Sequence, residues 1–399
     1  MLSGLKRMKN KIRVAFCLQF SNGWLGGVNY YKNLINIIIN NQQINVEPII
    51  FVPRDYDKNI AKDFPDIEFV ETGLLEGRRS FRGIVANIER RLLGYSFELE
   101  RLLESKNIDV LSHGSEATIL KNIPFMVWIP DFQHKYLTDF FSKEECTYRD
   151  KVFLQRSKLS DCVLLSSNDA LKDYQKFYAD YVGKTAVYQF VVPFKASEYD
   201  AKDLRTKYGL KQKFFYCPNQ FWQHKNHKII IDALYLLKKE NIQVLCSGNT
   251  GDYRNASYFK DLMELVKERE VEDNFKILGI IPYNDVQALM QECTALLNPS
   301  LFEGWNTMVE EGKSLGKRMI LSDLDVHKEQ NAEGAIYFKR HEAADLAKAM
   351  RTVLADESYN KESLSKNAAQ QLKQREKLAA EKYRDILEFT INNFHKKTC

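Results

Sequence analysis

No Cys-x-x-Cys pair occurs in this 399-residue chain. Its seven cysteines (17, 146, 162, 217, 246, 293 and 399) are scattered, most of them in apolar runs such as Phe16-Cys17-Leu18 and Leu245-Cys246-Ser247. That pattern excludes a disulfide or zinc framework and fits small apolar residues buried in a reducing compartment. Also lacking is any run approaching the roughly 18–20 apolar residues of a membrane span. Net charge is only +5, which permits anionic ligands or a membrane surface without requiring nucleic acid. Met1 to Phe20 has a basic lead and a short apolar stretch. Gln19 and Asn22 interrupt it and no small-x-small cleavage site follows, so a first strand over Ile12–Leu18 is expected there rather than a signal peptide.

What is present suits ordinary globular cores: 44% hydrophobic, 28% charged and 12% aromatic residues. The length predicts two domains or one large one. Apolar runs at Ile12–Leu18, Val46–Val52, Val110–Leu111, Phe125–Trp128 and Cys162–Leu165 read as buried parallel strands. Helical spacing covers Val28–Ile39 and most of Arg82–Glu104. Lys184–Val192 reads as extended and stops at Pro193. The alternation then restarts, with strands at Lys213–Cys217, Gln243–Ser247, Phe275–Leu278, Ala295–Leu297 and Arg318–Leu321. Helices at His227–Lys239, Ala256–Glu268, Asn284–Cys293 and Trp305–Leu315 fall between them. Repeated βα units predict an α/β protein with two Rossmann-like, doubly wound lobes. The expected lobes are 1–193 and 194–375, with the last helix (376–399) packing back on the first. Ligands are expected at the carboxyl ends of the strands, in the cleft between lobes.

Pro299-Ser300-Leu301-Phe302-Glu303-Gly304-Trp305-Asn306-Thr307-Met308-Val309-Glu310-Glu311 is the most informative stretch. A strand ends in a turn, and a helix starts near Trp305 and stops at Gly316. Glu303 lies in the turn; Glu311 follows a little over two helical turns later, so it can return to the same side. The helix N-terminus between them suits a phosphate, and two carboxylates around it suit sugar hydroxyls. A strand–turn–helix unit with solvated Glu side chains is the alternative. Pro218-Asn219-Gln220-Phe221-Trp222-Gln223-His224-Lys225-Asn226-His227 also follows a strand and precedes a helix, which lets Lys225 reach a diphosphate. His224 and His227 have no third ligand nearby in sequence and read as loop and capping residues. Asp323-Leu324-Asp325 has the form of a metal-binding D-x-D, a tripeptide common by chance. Arg78, Arg79, Arg82, Arg90 and Arg91 mingle with apolar residues, as in a helix lying on an anionic membrane. A solvated face is the alternative there, since Glu89, Glu98, Glu100 and Glu104 follow closely.

Together these segments resemble the retaining glycosyltransferases of family 4, which have the GT-B fold. Glu303 to Glu311 matches that family's E-x7-E signature. Gly26-Gly27-Val28 resembles its glycine loop, Ser160–Ser167 its "aD-x-v-x-x-S" segment, and Lys225 its phosphate-binding lysine. Phe275–Gly279 and Leu315–Ser322 resemble the segments before and after the acidic motif. The resemblance implies that Glu311 holds the donor ribose and Glu303 faces the transferred sugar. It implies that the backbone amides around Gly304, Trp305, Asn306 and Thr307 meet the diphosphate. Gly26 and Gly27 would let the first lobe approach the donor closely. Trp128–His134 is similar to the first-lobe segment whose histidine lines the sugar pocket, which marks His134. The family commonly has an arginine five residues before the phosphate lysine. Gln220 stands there, donating hydrogen bonds without charge, with Arg254 and Lys276 as candidate replacements.

The implied activity is transfer of a sugar from a UDP- or GDP-type donor to a saccharide or lipid-linked acceptor, as in O-antigen or capsule assembly. Configuration is retained, and no cofactor or obligatory metal is implied. Glu303, Lys225 and His134 are the expected catalytic residues. Glycosidase chemistry by Glu303 and Glu311 is set aside because the pair belongs to a phosphate-binding turn rather than flanking an open sugar groove. A non-catalytic sugar-nucleotide-binding protein and a membrane-peripheral scaffold are the alternatives. The expected location is cytoplasmic, with peripheral contact to the inner face of an anionic membrane, and no nucleic-acid partner is expected.

Overall fold

Short apolar runs become parallel strands here because helices cover both faces of each sheet. The computed structural model describes residues 11–18, 25–62, 64–76, 80–115, 119–194, 198–211, 213–356 and 361–398. The first lobe runs β1 (Ile12–Cys17), α1 (Leu25–Asn40), β2 (Val46–Val52), α2 (Lys58–Ala61), β3 (Glu68–Glu71), α3 (Phe81–Leu93), α4 (Phe97–Ser105) and β4 (Val110–Gly114). It continues with β5 (Phe125–Ile129), α5 (Gln133–Tyr136), α6 (Lys143–Leu159), β6 (Cys162–Leu165), α7 (Asn168–Phe177) and β7 (Thr185–Val187). The second lobe runs α8 (Ala201–Tyr208), β8 (Phe214–Cys217), α9 (His227–Leu236), β9 (Gln243–Ser247), α10 (Tyr258–Glu268), β10 (Phe275–Gly279) and α11 (Tyr283–Glu292). There follow β11 (Ala295–Asn298), α12 (Thr307–Leu315), β12 (Met319–Ser322), α13 (Asp325–Gln330), β13 (Ile336–Phe338), α14 (Ala343–Ala355) and α15 (Lys361–Thr398).

Every described strand pairing is parallel. The first sheet has the order β3-β2-β1-β4-β5-β6-β7 and the second β10-β9-β8-β11-β12-β13. Successive residues point to opposite faces, so Phe16 and Ile50 join one apolar layer while Ala15 and Phe51 join the other. In the second lobe Phe215 and Cys217 face one layer, Phe214 and Tyr216 the other. Strand order reverses between β1 and β4 and between β8 and β11, and such reversals open a crevice at the strands' carboxyl ends.

Several expected elements differ. The helical stretch Arg82–Glu104 is two helices, because Gly94 takes a left-handed φ of 71° between them. Of Lys184–Val192 only Thr185–Val187 pairs as strand. Gly26 and Gly27 are not a loop: they lie in the first turn of α1, while residues 19–24 fall outside the described set. Arg78 and Arg79 also lie outside it. Cys162, Cys217, Cys246 and Cys293 are buried, and Cys17 and Cys146 are half-buried; Cys399 is not among the described residues.

The last helix is far longer than its sequence pattern suggests, spanning 38 residues. It starts against the end of α12, where Gly316 has φ 64° and a Cβ would lie 2.4 Å from the Leu364 carbonyl oxygen. It then crosses to the first lobe and buries Ala379, Ala380, Tyr383, Ile386 and Leu387 in that lobe's core. The Tyr383 hydroxyl lies 2.8 Å from Ser112 Oγ. Replacing Tyr383 with Ala should cost about 3–5 kcal/mol, the range for truncating a buried aromatic. Tyr383→Phe, which removes only the hydrogen bond, should cost about 1 kcal/mol. Urea unfolding of both variants measures this; equal losses would mean that the hydroxyl, not the packing, carries the anchor.

Candidate active site

Two loops meet at the second lobe's crevice. One leaves β8 and carries Lys225; the other leaves β11 and carries Glu303. Two hydrogen bonds join them: Leu301 N–H donates to the His224 carbonyl at 2.8 Å, and the Asn226 side chain donates through Nδ2 to the Pro299 carbonyl at 3.1 Å. Asn226 takes the left-handed conformation (φ 57°) between the Lys225 turn and α9, a geometry Asn tolerates better than most residues. Lys225 Nζ then reaches Glu303 Oε1 at 2.6 Å, with the side chains 16% and 9% exposed.

The helix after this turn begins at Thr307, two residues later than its sequence pattern suggests. Asn306 is its N-cap, and its side chain accepts the Val309 N–H at 3.1 Å. The amides expected to point outward are not equivalent. Asn306 N–H donates to Gln330 Oε1 at 3.3 Å, so it is already engaged. The N–H groups of Trp305, Thr307 and Met308 have no partner among the described residues. They form the positive end of α12 beside Lys225 and Glu303.

The adjacent carboxylates of α12 divide their work. Glu310 turns inward, 1% exposed at its side chain, to Lys313 at 3.1 Å, Gln330 Nε2 at 3.1 Å and Arg375 of α15. Glu311 turns to the other side and accepts from the Tyr283 hydroxyl at 3.2 Å. Desolvation pushes its carboxyl up to about 7 against the opposing effect of that hydrogen bond.

Other expected site residues fare differently. Gln220 lies in the β8 loop, and its side chain has no hydrogen-bond partner among the described residues. Gly248 packs against its backbone so closely that a Cβ there would be 2.8 Å from Gln220 Cα. Arg254 does not replace the missing cation. Its guanidinium is held by Asp252 at 3.2 Å, Gln133 at 3.3 Å and His224 Nδ1 at 3.1 Å, bracing the lysine loop from behind. Lys276 sits near the start of β10, its Nζ beside Gly209, at the wrong end of the strand for the crevice. His134 is held by first-lobe partners. Its side chain is fully buried, bonded through Nε2 to Asp150 at 2.9 Å, and its ring meets Phe153 edge-on. Burial holds its pKa below the usual value despite Asp150. It ties α5 to α6, and its Nδ1 is buried without a hydrogen-bond partner.

The carboxylates of the D-x-D tripeptide are drawn apart, Asp323 to Arg340 at 3.4 Å and Asp325 to Lys328 at 3.6 Å. His227 gains neighbours that its local sequence does not reveal: its ring nitrogen and the sulfurs of Cys217 and Cys246 lie within 4.8 Å of one another. All three are fully buried, at the carboxyl end of β8, in β9 and at the start of α9.

Sequence reading missed His327. It is fully buried with Nδ1 3.0 Å from the Ser322 carbonyl oxygen, so Nδ1 carries the proton. Burial lowers its pKa, Glu303 raises it, and Lys225 and Arg340 lower it. His327 Nε2, Ser300 Oγ and Asn298 Nδ2 are all buried without a hydrogen-bond partner, a concentration of unpaired polar atoms typical of functional sites. The available signal was its place just after the strand that ends at Ser322.

The first lobe closes against the same turn. A Cβ on Gly304 would lie 2.0 Å from the Pro130 carbonyl oxygen and 2.9 Å from Asp131 Cβ. Trp305 Nε1 donates to the Phe190 carbonyl at 2.9 Å. Phe302 stacks on Tyr136 with centroids 5.6 Å apart. Glu329 caps α7 across the interface, accepting from the backbone N–H of Asn168 at 2.7 Å and of Asp169 at 2.9 Å.

With that geometry in place, comparison with known proteins is informative. Residues 200–371 match the family model described as Glycosyl transferases group 1. Over 128 residues the chain is 27% identical to the O-antigen chain mannosyltransferase RfbU of Salmonella typhimurium, covering 32% of this chain and 34% of that one. Over 306 residues it is 26% identical to the N,N'-diacetylbacillosaminyl-diphospho-undecaprenol alpha-1,3-N-acetylgalactosaminyltransferase of Campylobacter jejuni, covering 75% of this chain and 72% of that one. Anabaena HepE, solved in complex with UDP and glucose, superposes with a TM-score of 0.70 at 14% identity, covering 94% of this chain and 99% of that one. The fold is the two-lobed GT-B arrangement, and the matched family segment is the second lobe with the start of α15.

The contact at Gly304 gives a direct test. Gly304→Ala should push the lobes apart, raising the radius of gyration in small-angle scattering while leaving the circular dichroism unchanged. An unchanged radius would mean that the turn yields instead.

Proposed function

We propose that the protein is a retaining glycosyltransferase that takes its sugar from a UDP- or GDP-sugar and passes it to a saccharide or lipid-linked acceptor in surface-polysaccharide assembly. The observation that carries this reading is the Lys225–Glu303 pair at the strand-order reversal, beside the unpartnered amides of α12. The relatives' names support it, one an O-antigen mannosyltransferase and the other acting on a diphospho-undecaprenol acceptor.

The chemistry needed is stabilisation of a departing nucleoside diphosphate. Negative charge grows on the diphosphate as the glycosidic bond breaks, and fixed dipoles and cations matter most where charge develops. Lys225 has three N–H donors and commits one to Glu303. The remaining two, with the N–H groups of Trp305, Thr307 and Met308, face the diphosphate. Glu303 fixes the lysine and meets hydroxyls of the transferred sugar. Glu311 accepts the ribose hydroxyls. The acceptor attacks from the face the diphosphate leaves, so the anomeric configuration is kept. No metal is required in this scheme because Lys225 and the helix end supply the positive potential, and activity is expected to persist in excess chelator.

Gln220 motivates a second reading, a non-catalytic sugar-nucleotide binder with a weakened cation set. Turnover separates the two: transfer or slow hydrolysis of a UDP- or GDP-sugar that raises the melting temperature supports the enzyme. Binding without either reaction supports the binder. Within the enzymatic reading, Lys225→Ala should lower kcat by about 10²–10³ with a smaller change in donor KM. A loss confined to KM would make the lysine a positioning group.

Glu311 sets a pH dependence. A carboxyl raised to about 7 is largely protonated below that pH and ionised above it, and the ionised form is the acceptor for two hydroxyls. Nucleotide affinity should therefore strengthen from about pH 6 to about pH 8, and Glu311→Gln should flatten the profile. Calorimetric titration across that range is the measurement; an unchanged slope in the variant contradicts the ribose role.

A further inference from the structure

His227 is a buried imidazole with poor hydrogen bonding. It is fully enclosed at the first position of α9. Its Nδ1 has no hydrogen-bond partner, and its Nε2 faces the Cys217 sulfur at 3.9 Å. Neither nitrogen bonds the α9 backbone, so capping does not account for the residue. Phe221 stacks on the ring with centroids 4.2 Å apart and fixes its plane. A polar ring left in this state costs free energy that an apolar residue of similar size would not.

Strand pairing supplies what the ring faces. Cys217 ends β8, and Cys246 lies directly opposite it in β9, with both side chains in one apolar layer. One ligand atom from each of Cys217, Cys246 and His227 lies within 4.8 Å of the others. Donor atoms on one zinc ion sit about 3.6–3.8 Å apart, given bond lengths of about 2.3 Å to sulfur and about 2.1 Å to nitrogen. The 3.9 Å between Cys217 Sγ and His227 Nε2 is close to that spacing. Asn219 Nδ2 donates to Cys217 Sγ at 3.6 Å, an outer bond that steadies a thiolate ligand. No local motif announces the set, since Cys217 and His227 are ten residues apart and Cys246 comes from the next strand.

We propose that Cys217, Cys246 and His227 bind a thiophilic divalent cation of the zinc class. Two thiolates and an imidazole are soft donors, which suit zinc and not magnesium or calcium. Binding displaces one proton from each thiol to solvent, so a divalent ion and two thiolates enter the core with no net charge. A cuprous ion would leave one negative charge buried there. Three protein donors leave zinc one further position for a water. Cys217 and His227 bracket the loop that carries Lys225, so the ion ties the two ends of that loop together. It takes no part in sugar transfer, and the expectation that activity persists in chelator is unchanged. The proposal stands independently of the donor reading.

The test is cobalt and zinc binding by the full chain, kept reduced with a phosphine and stripped with chelator beforehand. Wild type should take up one equivalent of cobalt with an intense near-ultraviolet thiolate-to-metal band. Zinc should abolish that band and raise the melting temperature. Cys246→Ala, and separately His227→Phe, should weaken zinc binding by more than the roughly 10–100-fold that loss of an outer partner costs. Both variants should still melt cooperatively without metal, because each replaces a buried group by an apolar one. No cobalt band in wild type would overturn the site. So would a band that persists in Cys246→Ala, which would place the ion on other cysteines as an adventitious ligand. Uptake of cuprous ion alone would overturn the divalent assignment.

Discussion

The site is organised by one short ion pair between loops that start on opposite sides of a strand-order reversal. Lys225 and Glu303 are 78 residues apart in sequence and 2.6 Å apart in space. Taking both charges largely out of water is costly, and their attraction offsets that cost only when geometry is good and remaining polar groups are bonded. The hydrogen bonds from the Leu301 backbone and the Asn226 side chain hold the two loops together independently of the charges. The pair can therefore stay in place without contributing net stability. Its value lies in position: it sets a cation beside a helix end whose amides point outward.

Helix α12 is the second constraint, and it is held from behind. Glu310 and Glu311 are neighbours with opposite surroundings, one locked to Lys313, Gln330 and Arg375, the other drawn up in pKa beside Tyr283. The Arg375 contact belongs to α15, which continues into the first lobe and buries Tyr383 there. The helix that presents its N-terminus to the crevice is thus braced by an element rooted in the other lobe. Close approach at Gly316, where any Cβ would collide with the Leu364 carbonyl, lets that brace sit directly on the end of α12.

The βα alternation was legible because parallel strands buried on both faces are continuous apolar runs, as at Phe214–Cys217 and Ala295–Asn298. Lys225 and Glu303 could be read as neighbours in function from strand-end loops alone. What failed to show depends on long-range contacts. His134 follows a strand as a site histidine would, yet Asp150 and Phe153 draw it into the first lobe. Lys276 is a cation in the right lobe, but a strand has two ends and local sequence does not say which one matters. The polar surface of α15 hid its length, since its buried contribution to the first lobe's core begins at Ala379, with Leu372 packed against that core about two turns earlier. The cluster of His227 with Cys217 and Cys246 arises from parallel pairing of β8 with β9, which no spacing along the chain encodes.

The groups that join the lobes are the same groups, or immediate neighbours of those, that build the candidate site. Gly304 touches Pro130, Trp305 reaches Phe190, and Phe302 covers Tyr136, while Glu303 between them holds Lys225. Gln330, which holds the cap of α12, follows Glu329, which caps α7 of the first lobe. Four consecutive residues, 302 to 305, therefore serve both the interface and the site. A turn so constrained cannot change its grip on Lys225 without altering the fit of the lobes, and a change in that fit must move the same turn. The fit of the lobes and the placement of the charged pair are thus coupled through one turn, and the absence of a side chain at 304 is what lets Pro130 sit against it.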